Sequence, residues 1–310
     1  MTSRPVLDRS AVPLPAIQGI PGIWEALIEL SCYDQPEWTL VGGQMVRLHA
    51  AEHSAAPLRV SRDLDVVVNA RIVAGALRGF VVGLEDLGFQ LAGASPDGVA
   101  HRYVRSGVGI DVLAPEGLGP HADLTTTPPG RAIQAPGGTQ ALDRTELVPV
   151  TYAGRRGLIP RPSLLGAVVM KAAAVGVDDT PVSQQQDLAL LLSLVADPAA
   201  MAAETTKKDR ARLRQAGVGD VDHPVWTALE PDAADRARAA YRSLADPPSG
   251  LRGPDGQSSS RRQAGKQFDA AALLGEAIRE QHRSTADHTP LVSDPEPAPD
   301  WRQPRASLRT

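Results

Sequence analysis

A chain of 310 residues with 42% apolar content is long enough for two modest domains and a properly buried core. Its formal net charge of −4 excludes a global basic field, so nucleic acid would have to meet a local patch. The single cysteine, Cys32, rules out an internal disulfide and any cysteine-rich zinc site. Aromatic residues make up only 4%, which leaves the core to Ala, Val and Leu. No stretch approaches the roughly 20 apolar residues of a membrane span. Met1-Thr2-Ser3-Arg4-Pro5 leads into a Pro-broken polar stretch and not into a signal peptide. The expectation is a soluble, cytoplasmic protein with no membrane partner.

Residues 1–22 read as a loose arm. The spacing of Ile23, Trp24, Leu27, Ile28 and Leu30 predicts an amphipathic helix. Residues 38–41 read as a strand that runs into Gly42-Gly43, followed by a helix from 44 to about 51 and a loop over 52–57. Residues 63–68 form the second strand and 71–87 a helix. Further strands begin at 88 and cover 100–104 and 108–113. No element is assigned over 115–145, and a strand over 147–152 closes a first domain of residues 23–155.

From residue 160 the apolar period changes from 2 to about 3.6. A helix over 162–175, opened by Pro162, puts Leu164, Val168, Lys171 and Val175 on one face. The next helix, with Asp179 as its cap and Pro181 behind it, puts Asp187 on the side of Leu190, Leu191 and Leu194. Lys207-Lys208-Asp209-Arg210-Ala211-Arg212-Leu213-Arg214 is a basic helical run, either a solvated face or a grip on RNA or nucleotide. A polar helix over 232–244 completes a helical domain of residues 160–245. Beyond it the composition predicts a linker (246–266), a C-terminal helix (267–283) and a disordered tail (284–310).

The chemistry concentrates around Gly42-Gly43 and the run Arg59-Val60-Ser61-Arg62-Asp63-Leu64-Asp65. On a strand, Asp63 and Asp65 point the same way while Leu64 and Val66 point into the core. Two anions side by side raise the cost of ionising each other. A cation between them relieves that cost, and oxygen-only ligands suit Mg²⁺. Asp111, embedded in Val108-Gly109-Ile110-Asp111-Val112-Leu113, reads either as a strand-end carboxylate bonded to a turn or as the third wall of an oxygen cage. Backbone N–H groups of a Gly pair opening a helix can approach a phosphate closely. Lys171 either lays its stem along the core and snorkels out, or aims its ammonium at phosphate oxygens. Lys171 and Asp187 together could be a plain buried ion pair. Only a functional role also places them beside the acidic strands.

Taken together, these residues resemble the nucleotidyltransferase superfamily and, within it, the AbiEii/MenT-like toxins of toxin–antitoxin systems. The likeness covers residues 37–195 and rests on Gly42-Gly43, on Arg59, Ser61, Asp63 and Asp65 as an Arg-x-Ser-x-Asp-x-Asp signature, on Asp111, and on Lys171 and Asp187 ahead of a Leu-rich stretch. In two respects the chain departs from the pattern. Gln44-Met45 stands where the family has Thr-Ala or Ser-Ala, so a phosphate-binding hydroxyl is missing, and residues 52–57 lengthen the Gly-to-Asp spacing. The resemblance implies an α/β (α+β) nucleotidyltransferase fold with a mixed, mostly antiparallel sheet, followed by a helical domain. It further implies Mg²⁺ on Asp63, Asp65 and Asp111, with a nucleoside triphosphate on Gly42, Gly43, Arg59, Ser61 and Lys171. Asp187 joins the catalytic set. A tRNA acceptor and a cognate antitoxin come with the family. The rivals are a small-molecule (antibiotic-type) nucleotidyltransferase and a catalytically silent module that binds nucleotide or protein.

Overall fold

In the computed structural model, which describes residues 4–17, 19–20, 22–33, 36–178 and 181–246, the Val- and Leu-rich runs form the centre of a mixed sheet. The first half of the chain runs β1 (Val12–Pro13), α1 (Ile23–Cys32), β2 (Trp38–Val41), α2 (Gly42–Glu52), β3 (Asp63–Val68), α3 (Ala76–Asp86), β4 (Gln90–Leu91), β5 (Arg102–Arg105) and β6 (Val108–Pro115). It continues with β7 (Gln134–Ala135), α4 (Gly138–Asp143), β8 (Thr145–Tyr152) and β9 (Arg155–Pro162). Helices α5 (Leu164–Val175), α6 (Val182–Ser193), α7 (Pro198–Glu204), α8 (Lys207–Gln215) and α9 (Pro231–Ala245) follow, with a 3-10 turn at Pro224–Ala228. The fold is mixed α/β of the α+β kind.

The six-stranded sheet has the order β2-β3-β6-β5-β4, with β7 beside the end of β6. Its two central strands, β3 and β6, run parallel, while β2, β5 and β4 are antiparallel to their neighbours. Period-two alternation on β3 decides what each face carries. Leu64, Val66 and Val68 enter the main core with Trp24 and Phe80. The opposite face carries Asp63 and Asp65 and then Val67, which packs in a smaller apolar cluster with Val41, Ala141 and Met170. One end of that face is therefore sealed by α4 and α5, and the carboxylate end is left open.

Several expectations need correction. Residues 1–22 are not a loose arm where described: Val12 and Pro13 pair in parallel with Val150 and Thr151, and Val12, Leu14, Ile17 and Ile20 are buried. Pro13 is tolerated because β1 is an edge strand. The boundary expected near 155–160 falls inside a hairpin, in which β8 and β9 pair from Thr145↔Pro162 to Tyr152↔Arg155. Its two-residue turn is Ala153-Gly154, both at positive φ. The strand expected over 147–152 is β8, while Pro160 and Pro162 hide its partner β9 from a periodicity reading. Helix α3 starts five residues later than expected, after Gly75 in the left-handed region. Pro162 ends β9 and does not open α5, which Ser163 caps by accepting from the Gly166 N–H. The stretch left unassigned over 115–145 contains β7 and α4, and α7 was not expected. Asp179, most of the linker, the 267–283 helix and the 284–310 tail lie outside the described residues. Among the described residues no single helix is long and apolar enough to cross a membrane.

Glu52, expected in a loop, ends α2 and anchors it to β9. Its carboxylate meets the buried Arg161 at 2.6 Å and Arg9 at 2.8 Å. Removing one partner strands a buried charge. Glu52→Ala should lower unfolding free energy in urea by about 3 kcal/mol, the low end for a broken buried pair because Glu146 still meets Arg161. A loss under about 1 kcal/mol would show that the pair does not hold α2 to the hairpin.

Candidate active site

The register across the sheet builds the site. Val41 pairs with Asp65, Asp65 with Asp111, and Asp111 with Arg102, so one row crosses β2, β3, β6 and β5. Directly opposed residues on neighbouring strands share a face. Asp65, Asp111 and Arg102 therefore project together, with Asp63 two residues along from Asp65. The Arg102 guanidinium pairs with Asp63 Oδ1 and reaches Asp111 Oδ2 at 3.5 Å. The three carboxylates line a cleft of about 390 Å³, together with Gly42, Gly43, Ser61 and Lys171. Its lining also has an apolar part that includes Met170, Ala174, Leu113 and Ile133. Cleft size and mixed lining are those of a small-molecule site.

Gly42 and Gly43 have a packing reason to be glycines. Gly42 has φ +64, and a Cβ there would collide with the Asp65 carboxylate. One at Gly43 would collide with the Ser61 side chain. The bare backbone lets the start of α2 lie against the carboxylate strand, and no side chain caps that helix end. Gln44, a departure from the family pattern, is buried and donates from Nε2 to the Ser61 carbonyl at 2.8 Å, which holds the segment ahead of β3.

Lys171 does not snorkel. It is buried, and its Nζ lies 2.8 Å from Asp187 Oδ2 and 2.9 Å from Gln184 Oε1. Arg59 grips the same carboxylate with two bonds, Nε to Oδ1 at 3.0 Å and Nη2 to Oδ2 at 2.6 Å. Burial alone pushes the Asp187 carboxyl up, but Lys171 and Arg59 outweigh it and hold it below its ordinary value. Asp187 is not part of the cleft lining; its place is to aim two cations that are. The structure thus makes the buried ion pair and also sets it beside the acidic strands.

The carboxylates repel. Burial, and then Asp63, push Asp65 up to about 6, against the pull of Lys171, Arg59 and Arg102. Asp111 is pushed well above the ordinary range by burial and by Asp65. Asp65 is half-buried and makes no hydrogen bond or ion pair among the described residues. A divalent cation would relieve this repulsion, and the all-oxygen donors suit Mg²⁺. The three-carboxylate cage expected from the sequence is nevertheless not assembled: among the described residues no three His, Cys, Asp or Glu side chains converge on one point. Arg102 is the reason, because its guanidinium takes oxygens of Asp63 and Asp111. The residues present fit a cation on Asp63 and Asp65.

Sequence reasoning missed Arg102, His101 and Arg62. Burial and the neighbouring Arg102 lower His101 to about 4, so its imidazole is neutral at pH 7. Arg62 is exposed on the cleft lining. A signal for Arg102 exists. Ser106-Gly107, both at positive φ, form a two-residue turn that pairs Arg105 with Val108, and counting back sets Arg102 opposite Asp111. The basic run lies on α8, but part of it is spent internally. Arg212 and Lys208 meet Glu116, Arg214 meets Asp246, and Asp209 takes Arg144. The chain matches no family model, no curated protein and no solved structure.

The raised Asp65 makes a stability prediction. Below about pH 4 the carboxyl is protonated whether the chain is folded or not, and its burial costs little. As pH rises from the ordinary 3.8 through the folded value of about 6, the unfolded chain releases its proton first and stability falls. Asp65→Asn measured in chelator should therefore be more stable than wild type at pH 8, on the order of 2–3 kcal/mol by linkage. It should match wild type near pH 4. Equal melting curves at pH 8 would mean that Asp65 is not electrostatically stressed.

Proposed function

We propose that the chain is a metal-dependent nucleotidyltransferase that moves a nucleoside monophosphate from an NTP to an acceptor hydroxyl. Its acceptor would be tRNA and its role that of the toxin in a toxin–antitoxin pair. The observation that carries the reading is the convergence, on one cleft, of Asp63 and Asp65, the uncapped N-terminus of α2 and the aimed cation Lys171. That set is the equipment of phosphoryl-type transfer: cation-binding carboxylates, backbone donors for phosphate and a fixed positive charge. Acceptor and antitoxin come from the resemblance alone, and a cytoplasmic location is the expectation drawn from composition.

In this reading Asp63 and Asp65 would hold Mg²⁺, which would supply positive charge to offset the phosphates, while the acceptor hydroxyl attacks the α-phosphorus in line and pyrophosphate leaves. The first turn of α2 receives phosphate oxygens through backbone N–H groups, and Ser61 adds a hydroxyl beside them. Lys171, on the lining of the same cleft, would offset charge that grows on the leaving group, held there by Asp187. Arg59 shares that anchor and fixes the segment that carries Ser61. Asp111, with its raised proton affinity, is the group suited to take the acceptor hydroxyl's proton. Most of the rate in such transfers comes from fixed charges of this kind. The apolar wall at Met170 and Ala174 suits a nucleobase.

One observation favours a small-molecule acceptor as the second reading. The basic run on α8, which would serve RNA, is partly neutralised within the chain.

The test is incubation of the purified chain with Mg²⁺, each α-³²P-labelled NTP in turn and total tRNA, beside Asp65→Ala. Labelled tRNA should appear with wild type and fall by about 100-fold or more in the variant, the scale of losing a key electrostatic group. Label reaching only small hydroxyl compounds would favour the second reading. Absence of both transfer and nucleotide binding would leave a silent module.

A further inference from the structure

We infer that Arg102 occupies the place of a second divalent cation, so that the nucleotide-free site takes one divalent cation, on Asp63 and Asp65, and not two. The inference rests on the reading of Asp63 and Asp65 as cation ligands and goes beyond it in stoichiometry.

Three observations carry it. First, the row across the sheet puts Arg102 opposite Asp111, and its guanidinium spans two of the three carboxylates. A second cation bridging Asp63 and Asp111 would have to displace the guanidinium from Asp63 Oδ1 and Asp111 Oδ2 or sit beside its positive charge on the remaining oxygens. Second, the space for the guanidinium is built in. Gly109 lies opposite Asp63 on β6, and a Cβ there would stand 2.8 Å from Asp63 Oδ1 and 3.0 Å from Arg102 Nη2. Any larger residue would press on the pair, so the bare glycine and the long arginine fit each other. Third, the guanidinium already sets a fixed positive charge between Asp63 and Asp111, so a divalent cation placed on the same two carboxylates would be repelled. Lys171 and Arg59 on the same cleft add to that repulsion.

The arginine also has an advantage over an ion as the permanent occupant. Its planar fork is always charged and can engage two carboxylates at fixed angles. Asp111 then stays tied at the cleft wall whether or not a cation is bound, while Asp65 stays available to one.

The test is titration of Mn²⁺, as a substitute for Mg²⁺, into the full chain without nucleotide at pH 7.5, with free Mn²⁺ counted by electron paramagnetic resonance. Wild type and Arg102→Lys should bind one equivalent, and Asp65→Asn should lose it. Arg102→Met, checked for a cooperative melt, should bind a second equivalent because the guanidinium charge no longer lies between Asp63 and Asp111. Two equivalents in wild type would overturn the inference and leave the metal reading standing. An unchanged single equivalent in a folded Arg102→Met would overturn it too. No binding by wild type would remove the metal reading itself.

Discussion

Parallel pairing of β3 with β6 is the constraint on which the site depends. It sets Asp65 level with Asp111, so that the two side chains lie side by side on one face. Two carboxylates in that position, poorly reached by water, cannot both ionise freely, and burial and repulsion push both proton affinities up. The protein answers from the third strand in the row. Antiparallel β5 delivers Arg102 to the same level, and its guanidinium joins Asp111 to Asp63. Sheet register, set by hydrogen bonds far more numerous than the charges, thus decides an electrostatic arrangement that no local sequence preference would choose.

A second constraint ties the sheet to the helices. Asp187 on α6 receives Arg59 from the segment before β3 and Lys171 from α5. One carboxylate therefore joins three parts of the chain around the cleft. Buried pairs of this kind add little to net stability, because desolvation consumes most of the attraction. Their value is geometric: Lys171 has rotatable bonds enough to leave the cleft, and Asp187 with Gln184 fixes where its ammonium ends.

How far the sequence exposes these features depends on the range of the signal. The carboxylate strand is legible because its alternation is local: Leu64, Val66 and Val68 bury while Asp63 and Asp65 face away. Lys171 and Asp187 are legible as charges on apolar helix faces, although their roles differ, since only Lys171 lines the cleft. Arg102 is harder, because its neighbour Asp111 is set by counting back through the Ser106-Gly107 turn and not by composition. The second strand of the β8–β9 hairpin escapes a periodicity reading because Pro160 and Pro162 look like breakers, whereas β8 is legible as the strand over 147–152. Those prolines are accommodated in a three-stranded sheet whose other member, β1, itself begins with Val12 and ends with Pro13. The N-terminal segment misleads in the same way: prolines mark it as irregular, and Val12, Leu14, Ile17 and Ile20 bury regardless.

Gly42 and Gly43 show why packing and chemistry at this site are hard to separate. Each is excluded from carrying a side chain by a residue of the carboxylate segment, Asp65 in one case and Ser61 in the other. A packing account is therefore sufficient for both glycines. Yet the same close approach brings the uncapped start of α2 against Asp65, so donors for an anion and acceptors for a cation lie side by side. An alanine at Gly42 would be strained by its left-handed φ and would also push the carboxylate away. The glycines are required because the carboxylate is there, and the carboxylate is useful because the glycines let a helix end reach it.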